Sequence, residues 1–119
     1  VWKSGNVSLD GASFSECTAD LRGGGMRVYK SGDVALDGAS FSKCTSITGG
    51  GMHVWYSGDV SVKGASFVRC TASYFGGGMS VFMNSGDVSL ESASFSECTA
   101  GRDGGGLRVD NSGDVSVKG

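Results

Sequence analysis

Apolar residues recur along the chain with a long period and, inside it, a period of two. The motif Ser-Gly-Asn/Asp-Val starts at positions 4, 31, 57, 85 and 112, so successive copies lie 27, 26, 28 and 27 residues apart. Within a repeat, apolar residues alternate in short runs such as Val34/Leu36 and Ala39/Phe41, and a third run follows a Gly-Gly-Gly segment. Alternation of this kind is typical of β-strands. Each repeat is therefore predicted to hold three short strands separated by corners.

The same residue types occupy the same position, here called a column, in every repeat. Identical apolar columns fit a coil in which each strand pairs in parallel and in register with its copy one turn later, and such crossovers are nearly always right-handed. The predicted fold is all-β, a right-handed parallel β-helix of about four coils of 26–28 residues. The predicted core ladders are Phe14, Phe41, Phe67 and Phe95, then Cys17, Cys44, Cys70 and Cys98, then Met26, Met52, Met79 and Leu107.

The repeats divide the chain into segments 4–30, 31–56, 57–84, 85–111 and a partial copy, 112–119, which together form one predicted unit, 1–119. Repeat length changes at two places, after Cys44 and after Met79, and both are predicted to be loops. Segments 19–22, 46–48, 72–75 and 100–103 would then form one variable edge, where solenoids often place recognition. Because open coil ends expose strand edges and core side chains, we expect the unit to belong to a longer array or fibre.

Composition narrows the class further. The chain has 22 glycines and no proline, with 39% hydrophobic residues, 18% charged residues and a net charge of −2. So much glycine disfavours a helix bundle, and the moderate charge disfavours disorder. The segment contains no apolar run long enough for a membrane span, and its few basic residues are spread out rather than clustered as in nucleic-acid-binding proteins.

Two short motifs alternate along the chain and carry a resemblance to a known family. One is Gly-Gly followed by an apolar residue, as in Gly24-Gly25-Met26, and the other is Phe-x-x-Cys, as in Phe14-x-x-Cys17. The alternation resembles the repeats of polymorphic outer membrane proteins and related adhesins, within the pectin-lyase-like right-handed β-helices, with Cys where those repeats have Asn. The resemblance implies the β-helix fold, and it implies either an adhesin-like surface role or carbohydrate chemistry.

Two columns could carry site chemistry. The cysteines could be buried free thiols, disulfides between adjacent coils or zinc ligands, and we expect free thiols, because a straight row of sulfurs suits neither of the other two. The other column is acidic apart from its first residue, and its side chains could cap corner N–H groups or share a bridging cation; we expect capping. Its members are Asn6, Asp33, Asp59, Asp87 and Asp114.

An aromatic column is predicted to face outward, since each member follows an inward valine. Exposed stacked rings suggest a lateral subunit interface, a platform for sugar rings, or a surface that another part of the protein covers. Asn6-Val7-Ser8 is also an N-glycosylation sequon, so Asn6 is a candidate glycosylation site. The aromatic column consists of Trp2, Tyr29, Trp55 and Phe82.

The sequence contains few residue patterns of the kind found in catalytic sites. His53 is the single histidine, and we expect it to be an outward surface residue with no nucleophile repeated beside it. We expect no enzyme activity, metal or cofactor. The predicted function is a structural, non-catalytic element of an extracellular fibre or adhesin-like cell-surface protein, whose partners are copies of itself or flanking coils and possibly glycans. The alternative is a carbohydrate-binding or carbohydrate-cleaving β-helix.

A third hypothesis, ice binding, would use a column of threonines. A flat ice-binding face would be expected to show two parallel threonine files, and the sequence has one, which makes this hypothesis the weakest. The column consists of Thr18, Thr45, Thr71 and Thr99.

Overall fold

The protein winds into successive coils of short β-strands. The computed structural model describes residues 2, 3, 5–83 and 86–119. The first coil contains β1 (Val7–Asp10), β2 (Ser13–Ser15) and β3 (Met26–Tyr29). The second contains β4 (Val34–Asp37), β5 (Ser40–Ser42), β6 (Thr45–Thr48) and β7 (Met52–Trp55). The third contains β8 (Val60–Lys63), β9 (Ser66–Val68), β10 (Thr71–Phe75) and β11 (Met79–Phe82). The fourth contains β12 (Val88–Glu91), β13 (Ser94–Ser96), β14 (Thr99–Ala100) and β15 (Leu107–Asp110), and β16 (Val115–Lys118) begins the next turn.

Equivalent strands of successive coils form four parallel sheets. In the order met along a coil, sheet 1 is β1-β4-β8-β12-β16, sheet 2 is β2-β5-β9-β13, sheet 3 is β6-β10-β14 and sheet 4 is β3-β7-β11-β15. Pairing is copy to copy, so Val34 lies beside Val60 and Phe41 beside Phe67. The predicted parallel β-helix of about four coils is therefore confirmed.

The number of strands per coil differs from the prediction. Three were expected, but the second, third and fourth coils each have a fourth strand, in sheet 3, where the sequence suggested a loop edge. The inward positions of sheet 3 hold small residues, such as Ser46 and Ala72, both of them buried. Because small side chains produce no apolar alternation, the hydrophobic pattern of the sequence did not predict this sheet. The change in repeat length after Cys44 is absorbed by a register shift between Ala72 and Phe75. The second change in length includes positions 84 and 85, which lie outside the described residues.

The core is a set of straight side-chain stacks along the coil axis. The ring centroids of successive phenylalanines lie 4.8, 4.7 and 4.8 Å apart, with interplanar angles of 6°, 2° and 8°. Phe41 and Phe67 are fully buried, whereas the outer rings of Phe14 and Phe95 are half-buried. The methionine column is buried at Met52 and Met79. Parallel pairing at a strand spacing of about 4.8 Å produces such stacks wherever a column is uniform.

The Gly-Gly-Gly segment sets the corner between sheets 3 and 4. In the second coil, Gly49 has a φ of 66°, a conformation that suits glycine. A Cβ on Gly50 would lie 2.5 Å from the carbonyl oxygen of Thr71 in the next coil. A Cβ on Gly51 would lie 2.6 Å from the Gly78 carbonyl oxygen. The backbone therefore passes too close to the following coil for any side chain, and this closeness brings the outer faces of sheets 3 and 4 together.

Candidate functional site

Two rows of outward side chains meet at the corner between sheets 3 and 4. One row lies in sheet 4, between the core methionine and valine columns, and the other lies immediately before the triple glycine. Strand pairing and isolated bridges hold both rows in register. The sheet 4 row is Arg27, His53, Ser80 and Arg108, and the other row is Arg22, Thr48, Phe75 and Asp103.

The two rows enclose a groove of about 230 Å³. Arg22, Thr48 and Phe75 line one side of it. The other side is lined by His53, Ser80, Phe82 and Arg108. The groove is polar at its floor and aromatic at its walls, and it combines residues that lie far apart in sequence.

His53 forms the floor of this groove together with Ser80. The side chain of His53 does point outward from the core, but it is 2% exposed, so the expectation of a surface histidine is wrong. The alternation of side chains along a strand predicts which way His53 points, but not whether other residues cover it. Here the row of residues before the triple glycine covers the ring. Ser80, its register partner in the next coil, is 0% exposed. Neither ring nitrogen of His53 nor the Ser80 Oγ has a hydrogen-bond partner among residues 2, 3, 5–83 and 86–119.

Burial keeps the His53 ring neutral. Loss of solvation, reinforced by the positive charges of Arg22 and Arg27, lowers the pKa of His53 to about 3. At neutral pH the ring therefore has one N–H donor and one nitrogen acceptor. Ser80 adds a hydroxyl that can donate and accept. The floor of the groove thus holds hydrogen-bond donors and acceptors that no described residue pairs with.

Arginines flank the groove, and aromatic rings hold them. The Arg22 Cζ lies 4.4 Å from the ring centroid of Trp55, and the Arg108 Cζ lies 3.9 Å from that of Phe75. Arg108 also donates from Nη2 to the Asp110 carboxylate at 3.0 Å. Stacking fixes the plane of a guanidinium and leaves its edge free to donate. Each arginine therefore lies over an aromatic ring at the edge of the groove.

The serine beside His53 is a feature that sequence reasoning missed. The expectation was that no nucleophile is repeated beside the histidine, and the column does hold one serine, Ser80, in register with it. An activated serine needs a hydrogen bond to its base, and the base needs an orienting partner. Neither hydrogen bond is formed here. The pair as it stands suits ligand binding better than nucleophilic attack.

The aromatic column runs alongside the groove in sheet 4. The Trp55 ring centroid lies 4.9 Å from that of Tyr29 and 6.3 Å from that of Phe82. Trp2 is 64% exposed, but Tyr29, Trp55 and Phe82 are only half-exposed. The column is therefore less exposed than predicted, because Arg22 covers Trp55 and other basic side chains lie over Tyr29. Its use as an interface or a sugar platform stays a prediction.

The cysteine column lies in the core, and its four members are free thiols. Each thiol from the second coil onward donates to the carbonyl oxygen of the phenylalanine one coil earlier, as Cys70 does to Phe41 at 3.5 Å. Burial raises the pKa of Cys44. The hydrogen bond to Cys98, followed by burial, raises the pKa of Cys70, and the same hydrogen bond lowers the pKa of Cys98. The described part of the chain brings together no group of three metal-binding side chains.

The acidic column caps backbone N–H groups between coils, which is the first of the two explanations considered above. The Asn6 Oδ1 accepts a hydrogen bond from the Asp33 N–H at 2.9 Å. Asp33, Asp59 and Asp87 each accept at 2.9 Å from the N–H of the column residue in the following coil. The glycine of each Ser-Gly-Asp motif leaves space for the oxygen that accepts. Asn6 is exposed, and its glycosylation stays a prediction.

Comparison with protein families agrees with this architecture. The family model described as a right-handed β-helix region matches residues 1–119. The chain belongs to the right-handed β-helix family. Searches of curated proteins and of solved structures each found no significant match. Membership of this β-helix family supports the expected fold, while the finer resemblance to outer membrane protein repeats is not confirmed. None of the described residues form a helix with the length and apolarity needed to cross a membrane.

Proposed function

We propose that this β-helix is a structural, non-catalytic segment of an extracellular fibre or adhesin-like surface protein. The observation that supports it is continuity along the coil axis. Sheets 1, 2 and 4, the phenylalanine stack and the Asn/Asp ladder run in register from coil to coil, and sheet 3 does so apart from one register shift. Each coil is thereby joined to the next by many parallel hydrogen bonds, so a load along the axis is shared among them.

The last described strand offers a surface for assembly. Val115 and Val117 in β16 are 49% and 76% exposed, whereas their pairing partners Val88 and Leu90 are buried. Covering two valines of this kind is favourable by about 1.5–3 kcal/mol each when burial is complete. The partner in this proposal is a further coil of the same ladder, supplied by flanking chain or by a second copy. Lateral association through the aromatic column would add a second contact.

The assembly is tested with one disruptive variant and one matched control. Val117→Lys places a charge on the apolar face of β16, while Ser116→Lys places the same charge on the outward face of that strand. We expect the wild type and Ser116→Lys to form rods that lengthen with protein concentration, as seen by sedimentation velocity and negative-stain microscopy. Val117→Lys should remain short. Compact particles of one size for all three proteins would contradict the proposal, and protease accessibility on intact source cells tests the surface location.

Carbohydrate binding or cleavage is the second candidate function. The adjacent rings of Tyr29 and Trp55, beside a groove that contains arginine, favour it because aromatic faces stack on sugar rings. A panel of acidic and neutral polysaccharides tests both binding and cleavage. Trp55→Ala should abolish glycan binding, while Tyr74→Ala, which removes an exposed ring from sheet 3, should not. Equal binding by both variants would contradict this candidate.

A further inference from the structure

The groove floor has donors for which the described part of the chain provides no acceptor. His53 and Ser80 line the groove, both are almost completely buried, and the described residues offer no hydrogen-bond partner to either side chain. The indole Nε1 of neighbouring Trp55 is also buried, and it too has no partner among those residues. Native proteins rarely leave buried polar groups unpaired, because their desolvation is then not repaid. Such a concentration of unpaired groups in one place indicates a site that a ligand completes.

The charge of the groove favours an anion. Among the described residues, Arg22 forms no ion pair with any carboxylate, and its Cζ lies 4.4 Å from the ring centroid of Trp55 at the groove wall. At the other end, Asp110 already accepts from Arg108. Asp103, which ends the same row as Arg22, is exposed and does not line the groove. The groove lining thus carries net positive charge, and its N–H and O–H donors outnumber its acceptors.

We propose that this groove binds a small oxyanion group such as sulfate, phosphate or carboxylate. Arg22 offers a planar pair of N–H donors to two oxygens, and the Ser80 hydroxyl and the N–H of His53 offer further donors. Phe75 and Phe82 exclude water and so strengthen these contacts. The volume of about 230 Å³ equals the share of roughly eight water molecules, so it admits the oxyanion together with part of a molecule that carries it. This site is additional to the structural role and does not depend on it.

The single histidine makes the test direct, because the ring signals of His53 can be assigned without ambiguity in NMR spectra. Sodium sulfate is titrated into the protein at constant ionic strength balanced with sodium chloride. We expect saturable shifts of the His53 ring ¹⁵N and ¹³C signals. Arg22→Gln should weaken sulfate binding at least about tenfold, the effect of losing a charge-assisted contact. Arg102→Gln, which removes a guanidinium stacked on Tyr74 outside the groove, should bind sulfate like the wild type.

Several outcomes would overturn the proposal. These are shifts identical to those produced by chloride alone, or sulfate binding that survives unchanged in Arg22→Gln. Ser80→Ala provides a second variant that removes one donor without adding volume, and unchanged sulfate binding there would also count against the site. A sulfated monosaccharide and its unsulfated parent distinguish the source of the oxyanion. Tighter binding of the sulfated sugar than of inorganic sulfate supports a carried group, and equal affinity supports a free ion. Equal binding of the sulfated sugar and its parent overturns the proposal.

Discussion

The buried histidine predicts a specific loss of stability in mild acid. His53 has a pKa of about 3 in the folded protein, against an ordinary value of 6.5 in the unfolded chain. As pH falls below 6.5, the unfolded chain takes up a proton that the folded protein refuses. The contribution of His53 to stability is therefore complete above pH 6.5 and declines until about pH 3.

Linkage gives the size of the effect. With these two pKa values, the free energy of unfolding falls by about 0.8 kcal/mol between pH 8 and pH 6, and by about 2 kcal/mol between pH 8 and pH 5. Carboxyl groups remain mostly ionised at pH 5, so they add little over this range. For a domain whose total stability is about 5–15 kcal/mol, a loss of this size is easily measured.

Urea unfolding at each pH measures the loss, and the same series on His53→Gln provides the reference. Subtracting the two profiles removes the contributions of Cys98 and the carboxyl groups, which both proteins share. The buffers should contain neither sulfate nor phosphate, since an oxyanion in the groove would stabilise the protonated ring. Parallel profiles for the two proteins would refute the reasoning, as would an NMR titration of His53 with a midpoint near its ordinary pKa.

Three further predictions follow from the ladders. Ser92 has a φ of 52° where the equivalent residue of the second coil is Gly38, so Ser92→Gly should raise the free energy of unfolding by about 0.5–1 kcal/mol, and Gly38→Ser should lower it by a similar amount in urea melts. Phe67→Leu removes two ring stacks from a fully buried position and Phe14→Leu removes one from a half-buried position, so calorimetry should show a loss larger by at least about 0.5–1.5 kcal/mol at Phe67, and equal losses would contradict the stack. Cys70 is a buried free thiol, so it should react with a thiol reagent without prior reduction but no faster than the protein unfolds. Fast reaction in the native state would contradict its burial.

The fold could be predicted from the sequence because its core columns are uniform and large. Phe41 and Phe67 recur at one position of the repeat, and only parallel pairing in register brings identical side chains into one stack. The same reasoning did not predict sheet 3. Its inward residues, such as Ser46 and Ala72, are too small to give an apolar signal, so its strands depend on backbone pairing with neighbouring coils.

The candidate site was less accessible to sequence reasoning, for a different reason. Column alignment was sufficient to place Ser80 beside His53, and that signal was present in the sequence. The burial of both side chains could not be predicted in this way, because it depends on how closely the row that contains Arg22 and Phe75 approaches them across the triple glycine. That distance is set by the backbone at Gly50, where the next coil passes within contact of the position that a Cβ would fill.

The hydrogen bonds of the Asn/Asp ladder all point the same way along the axis. Each coil donates one N–H to the coil before it and presents an oxygen to the coil after it, so any two units of this design can follow one another. Unequal crossing-over between the encoding segments can therefore add or delete a whole turn without creating a mismatched junction. The groove is different, since it requires the four successive units that carry Arg22, His53, Ser80 and Arg108 to keep this order. Units added before or after these four would thus leave the proposed oxyanion groove intact.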